Sequence, residues 1–70
     1  MFVYILQSET NGHFYIGATE DVADRVARHN ANSVLATRRK GPWRLVYFEK
    51  CAGRDEAFRR ERQLDRKSVV

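Results

Sequence analysis

Seventy residues carrying a net charge of +4 and a pI near 9.7 make one small basic domain, spanning residues 1–70, that favours a polyanionic partner. A chain this short buries only about 60% of its unfolded surface, yet a 43% hydrophobic content with four Phe, three Tyr and one Trp spread along it excludes a disordered tail. The single cysteine, Cys51, excludes an internal disulfide and a thiolate zinc site and fits a reducing, cytoplasmic setting, while the apolar run Phe2–Leu6 is too short for a membrane span.

Phe2 to Leu6 is rich in β-formers and nearly all apolar, as suits a strand covered on both faces. Asn11-Gly12 is a hairpin signal, and His13 to Ala18 reads as the return strand. A two-residue turn there sets Tyr4 opposite Thr19 and leaves Tyr4 and Tyr15 on one face. The next segment is a helix capped by Thr19 or Asp21, with Val22, Val26 and His29 at helical spacing and Asn30 to Asn32 ending it. Ser33 to Pro42 is a basic loop or short helical turn. Trp43 to Lys50 forms a third strand, with Trp43, Leu45 and Tyr47 pointing one way. Gly53-Arg54-Asp55 opens a last helix, capped by Asp55 and running to about Arg66. The expected fold is α+β: a three-stranded antiparallel-type sheet flanked by helices, in the order β-β-α-β-α.

Candidate functional residues stand against ordinary alternatives. Tyr4 and Tyr15 serve equally as core tyrosines with hydroxyls bonded at the rim. Arg25 and His29 are four residues apart and share a helix face with Val22 and Val26. An inward arginine wants an anion, unless it extends to the rim. Glu61 interrupts the stripe of Ala57 and Leu64, and a carboxylate there wants either an arginine or a metal. Cys51 reads as a small buried hydrophobe and His13 as an exposed turn residue.

Taken together, the residues resemble the GIY-YIG nuclease family over essentially the whole chain. Phe2-Val3-Tyr4, with Phe-Val in place of Gly-Ile, matches the first signature element, and Tyr15-Ile16-Gly17 the second. Asp24 to Asn30 looks like the arginine-and-histidine helix, Pro42 to Tyr47 the third strand, and Glu56 to Glu61 the carboxylate helix. The likeness is closest to small stand-alone members related to structure-selective endonucleases.

The resemblance implies that Tyr4 positions or deprotonates the attacking water. Tyr15 helps to orient water and phosphate, Gly17 lets the backbone pass close to the site, and Arg25 clamps the scissile phosphate. His29 supports them, and Glu61 is the single ligand of Mg²⁺ or Mn²⁺. Because a phenol near pKa 10 is a poor base, Arg25 and the metal are expected to lower it. Asn30, Arg38, Arg39, Lys40 and Arg44 are the expected substrate-binding positions, with Arg59 and Arg62 adding phosphate contacts. The implied activity is a metal-dependent endonuclease that selects DNA by structure rather than sequence, in DNA repair or recombination, as a monomer or weak homodimer. RNA remains an alternative substrate, and a non-catalytic nucleic-acid-binding module or a protein-interaction domain are alternative functions on the same fold. The chain stops at Val70, soon after Arg66-Lys67, where many relatives continue with basic residues; a weaker Glu61 helix or weaker DNA binding is the expectation there.

Overall fold

The computed structural model describes residues 1–31 and 41–69, with side chains in the last helix up to Leu64. The element order is β1 (Phe2–Ser8), β2 (Phe14–Thr19), α1 (Val22–Asn30), β3 (Trp43–Lys50) and α2 (Arg54–Val69). The three strands form one antiparallel sheet in the order β2-β1-β3. The expected β-β-α-β-α architecture is therefore the observed one.

The central position of β1 explains its apolar composition. Val3, Tyr4 and Leu6 are all buried although successive side chains point to opposite faces, because each face carries a helix. On one face α1 lays Val22 and Val26 over Tyr4, Leu6 and Trp43, with Tyr15 and Leu45 alongside. On the other, α2 packs Ala57 and Leu64 against Val3, Ile16, Ala18 and Cys51. The fold thus has two small cores rather than one.

The hairpin register differs from the two-residue-turn expectation. Tyr4 stands opposite Gly17, and Phe2 opposite Thr19. The connection is longer because Ser8 organises it: the Ser8 hydroxyl accepts hydrogen bonds from the amides of Thr10 and Asn11, and its backbone bonds Gly12 and His13. Gly12 supplies the left-handed conformation, at φ 76°. A shift of two residues preserves side-chain parity, so Tyr4 and Tyr15 still share a face.

β3 also departs from simple alternation. Its register against β1 jumps between Ile5, opposite Tyr47, and Leu6, opposite Leu45. This bulge turns Tyr47 away from the face of Trp43 and Leu45 and brings Phe48 opposite Tyr4. Tyr47 then reaches Glu49, donating a 2.7 Å hydrogen bond to its carboxylate.

Helix starts follow side-chain chemistry. Asp21, not Thr19, caps α1 by accepting from the Asp24 amide at 3.0 Å. Thr19 accepts from the Asp21 amide one step earlier. Asp55 does not cap α2, because it lies inside the first turn. The first helical bond there runs from the Ala57 amide to the Gly53 carbonyl, and Glu56 accepts from the Ala52 amide. No helix among the described residues is long and apolar enough to cross a membrane.

Candidate active site

Three of the five expected catalytic residues form one contact cluster on the α1 face. The Tyr4 hydroxyl and His29 Nε2 share a 3.0 Å hydrogen bond although the residues are 25 positions apart. Tyr15 packs its ring on the imidazole at a centroid distance of 4.7 Å. Tyr4 and Tyr15 are themselves 6.4 Å apart, and Trp43 meets Tyr15 edge-on. His29 is 1% exposed, so a polar ring has been built into the core between two phenols and held by one of them.

Gly17 makes this arrangement sterically feasible. A Cβ at that position would lie 2.7 Å from the Tyr4 hydroxyl oxygen and 2.8 Å from its Cζ. The phenol therefore crosses β2 directly over the glycine, the close approach for which a missing side chain is required.

Arg25 is half-buried one turn before His29 and lines a shallow groove with Ala18, Thr19 and Arg54. Arg28, on the outer side, pairs instead with Asp24 at 2.8 Å. Glu61 sits on α2 between Ala57 and Leu64, half-buried. The field at Tyr4 links these residues. Burial pushes its phenol up to about 12, with Tyr15 adding to the effect, Arg25 opposing it and Glu61 raising it further. Burial, then the Arg25 charge, pushes the His29 imidazole below its ordinary value. Arg25 alone pulls the Tyr4 phenol in the expected direction, but desolvation outweighs it.

The remaining expected residues fare differently. Asn30 is a structural clasp, its amide donating to the Trp43 carbonyl at 3.0 Å and accepting from the Trp43 amide at 2.6 Å. That pairing fixes the end of α1, and with it His29, against β3. Arg44 pairs with Gln7 across the ladder, on the opposite sheet face from the phenols, and is exposed near the hairpin. Arg38, Arg39 and Lys40 lie outside the described residues. Reasoning from sequence missed Trp43 and Asn30 as the frame of the imidazole. Only the pairing of α1 with β3, 13 residues later, reveals them.

Among the described residues no three His, Cys, Asp or Glu side chains gather into a metal-binding group. A lone carboxylate such as Glu61 has the chemistry to hold a hard cation that keeps most of its waters, as Mg²⁺ or Mn²⁺ does.

The fold and this cluster define a class. The chain belongs to the family of the GIY-YIG catalytic domain, whose model matches residues 1–68, and this is a nuclease-type family. Within it, the chain is similar to UPF0213 proteins. One from Desulfotalea psychrophila is 44% identical over 62 residues, covering 86% of this chain and 56% of the relative. One from Streptococcus pneumoniae is 36% identical, covering 94% and 67%, and one from Halobacterium salinarum is 38% identical, covering 89% and 80%. The chain thus spans little more than half the length of the Desulfotalea relative. No solved structure matches significantly.

Proposed function

We propose that the chain is a metal-dependent endonuclease that hydrolyses phosphodiester bonds in DNA, selecting structure rather than sequence. The observation that carries this reading is the hydrogen bond between the Tyr4 hydroxyl and the buried His29 imidazole, in the field of Arg25 and Glu61.

In this reading Arg25 holds the scissile phosphate through paired N–H donors, and its permanent charge offsets the negative charge that builds on phosphorus. With its pKa pushed up to about 12, Tyr4 stays protonated at neutral pH, and in the Nδ1-protonated tautomer of His29 it donates its hydrogen bond to Nε2. No free phenolate is needed. As a water oxygen forms its bond to phosphorus, its proton passes to the Tyr4 oxygen while the Tyr4 proton passes to Nε2 of His29. The bond from phosphorus to the leaving nucleoside oxygen breaks on the far side, and that oxygen takes a proton from solvent. Tyr15, its ring tilted against the imidazole at a centroid distance of 4.7 Å, holds the acceptor nitrogen in line. Glu61 is the residue to hold Mg²⁺ or Mn²⁺, which would neutralise charge on the leaving oxygen.

Specificity for sequence is expected to be low, because among the described residues nothing beside the cluster has the size to read a major groove. Binding is expected to weaken steeply with salt, since phosphate contacts supply it.

Labelled branched, single-stranded and duplex DNA incubated with Mg²⁺, beside a chelator control and the Glu61→Ala and Arg25→Ala variants, tests this reading. Cleavage that requires the metal and both side chains is the expected result. Binding without cleavage, or cleavage that survives both substitutions, would reject it.

A further inference from the structure

α2 carries an aromatic side chain that neither core uses. Phe58 is 49% exposed, although its neighbour Ala57 and Leu64 supply the sheet-facing contacts of the helix. The orientation of α2 is fixed by Arg60, whose Nε donates to Glu49 on β3 at 2.8 Å. Phe58 lies two residues earlier, roughly 200° around the helix at 3.6 residues per turn, and so points toward the β2 side.

Two charged side chains flank it there. Arg54 is four residues before Phe58 and Glu61 three residues after, so the three stack along one flank of α2. Arg54 lines the groove that also holds Arg25, Ala18 and Thr19. The ring therefore stands one helical turn from the carboxylate, on the flank that looks toward the phosphate-clamping arginine. Arg54 also occupies the first position of α2, where the helix dipole disfavours a cation. Helix stability explains neither the exposed ring nor the cation.

We propose that Phe58 is a stacking platform for an unpaired nucleobase beside the scissile phosphate, with Arg54 holding an adjoining phosphate. The site then takes single-stranded or frayed nucleic acid in preference to continuous duplex. This deepens the nuclease reading above and rests on it for the position of the phosphate. An exposed ring offers its face to any base, which gives affinity without sequence preference. Bases in a closed duplex present no free face, and unstacking one costs energy that a single strand does not incur. The flanking guanidinium supplies the charge that a backbone phosphate requires.

The test is binding of short single strands carrying one 2-aminopurine, against the same sequence as blunt duplex, in chelator so that cutting does not intervene. The wild-type protein is expected to bind the single strand more tightly and to change the probe's fluorescence. Phe58→Ala is expected to lose on the order of 10-fold affinity for the single strand, with duplex binding and melting temperature little changed. Phe58→Trp restores both affinity and fluorescence change. Arg54→Gln lowers the salt slope of binding by about one. Unaltered single-strand binding by Phe58→Ala, or an equal loss on both forms, would overturn the proposal. So would a loss confined to self-association in sedimentation. The two readings separate cleanly. A wild-type protein that stacks the probe but cuts nothing with Mg²⁺ sinks the nuclease and keeps the platform. Cutting that is indifferent to Phe58→Ala does the reverse.

Discussion

Both faces of the sheet carry an apolar core, but among the described residues only the α1 face also buries hydrogen-bonding side chains. Under α2 the buried side chains are Val3, Cys51 and Ala57, with the Glu49–Arg60 pair confined to the rim. Under α1 the buried set includes Tyr4, His29, Ser8 and Thr19, every one a hydrogen-bonding group. Burying polar groups gains little stability even when each is satisfied, and costs much if one partner is lost. The α2 face therefore serves mainly to hold the sheet together. The α1 face spends packing on placing a phenol and an imidazole where solvent cannot reorganise them. Glu61 and Arg25 couple the two faces through the field at Tyr4.

Substitutions on the two sides should separate activity from stability. The largest effect is expected for Arg25→Ala and Glu61→Ala. Loss of transition-state charge stabilisation should lower single-turnover cleavage by on the order of 10³-fold. Melting temperatures should shift by only a few degrees. Cleavage within tenfold of wild type in both variants would contradict the assignment.

Tyr4→Phe comes next. It removes the proton path and should slow cleavage by about 10²-fold or more, measured at saturating metal. It leaves His29 without its 3.0 Å partner, at a cost of about 1–3 kcal/mol in denaturant unfolding. Gly17→Ala probes the same phenol sterically. The new methyl must displace Tyr4 or β2, for a loss of about 1–3 kcal/mol together with activity. A stable, fully active Gly17→Ala protein would show that the close approach is not needed.

The control sits on the other face. Val3→Ala, at a fully buried site, should cost about 2 kcal/mol yet leave cleavage per folded molecule unchanged.

The smallest effect is in pH dependence. The raised Tyr4 pKa stabilises the fold below the ordinary phenol value of 10.0, and that contribution is lost as pH rises toward about 12. The lowered His29 pKa stabilises the fold above the ordinary imidazole value of 6.5, and that contribution is lost as pH falls below it. Stability should therefore form a plateau between these limits. Tyr4→Phe should flatten its alkaline edge and His29→Gln its acid edge, as read from melting temperature against pH. An acid edge unchanged by His29→Gln would mean that another group sets it.

Much of this was legible beforehand. The apolar run of β1 announced a strand covered on both faces. The even spacing of Tyr15 and the turn kept the two phenols on one face even though the register moved by two residues. Other features were not legible, because they depend on contacts between distant segments. The β3 bulge that turns Tyr47 toward Glu49 has no local signature. The clasp of the Asn30 amide on Trp43 has no local signature either, because nothing in the neighbourhood of Asn30 names Trp43 as its partner. The desolvation of Tyr4 was not legible for a related reason: charges can be listed from a sequence, whereas the depth of burial that outweighs Arg25 cannot.

By itself the sequence determined the element order, the family, and the residue types available for chemistry. Those follow from periodicity, turn residues and short motifs, which are local properties of the chain. Tertiary structure alone decided that the Tyr4 hydroxyl meets His29 over Gly17, and that Asn30 locks the helix carrying that histidine to β3. These outcomes depend on registers and packing distances between segments far apart in the chain, and desolvation, which sets both pKa shifts, exists only once those segments have closed around the groups.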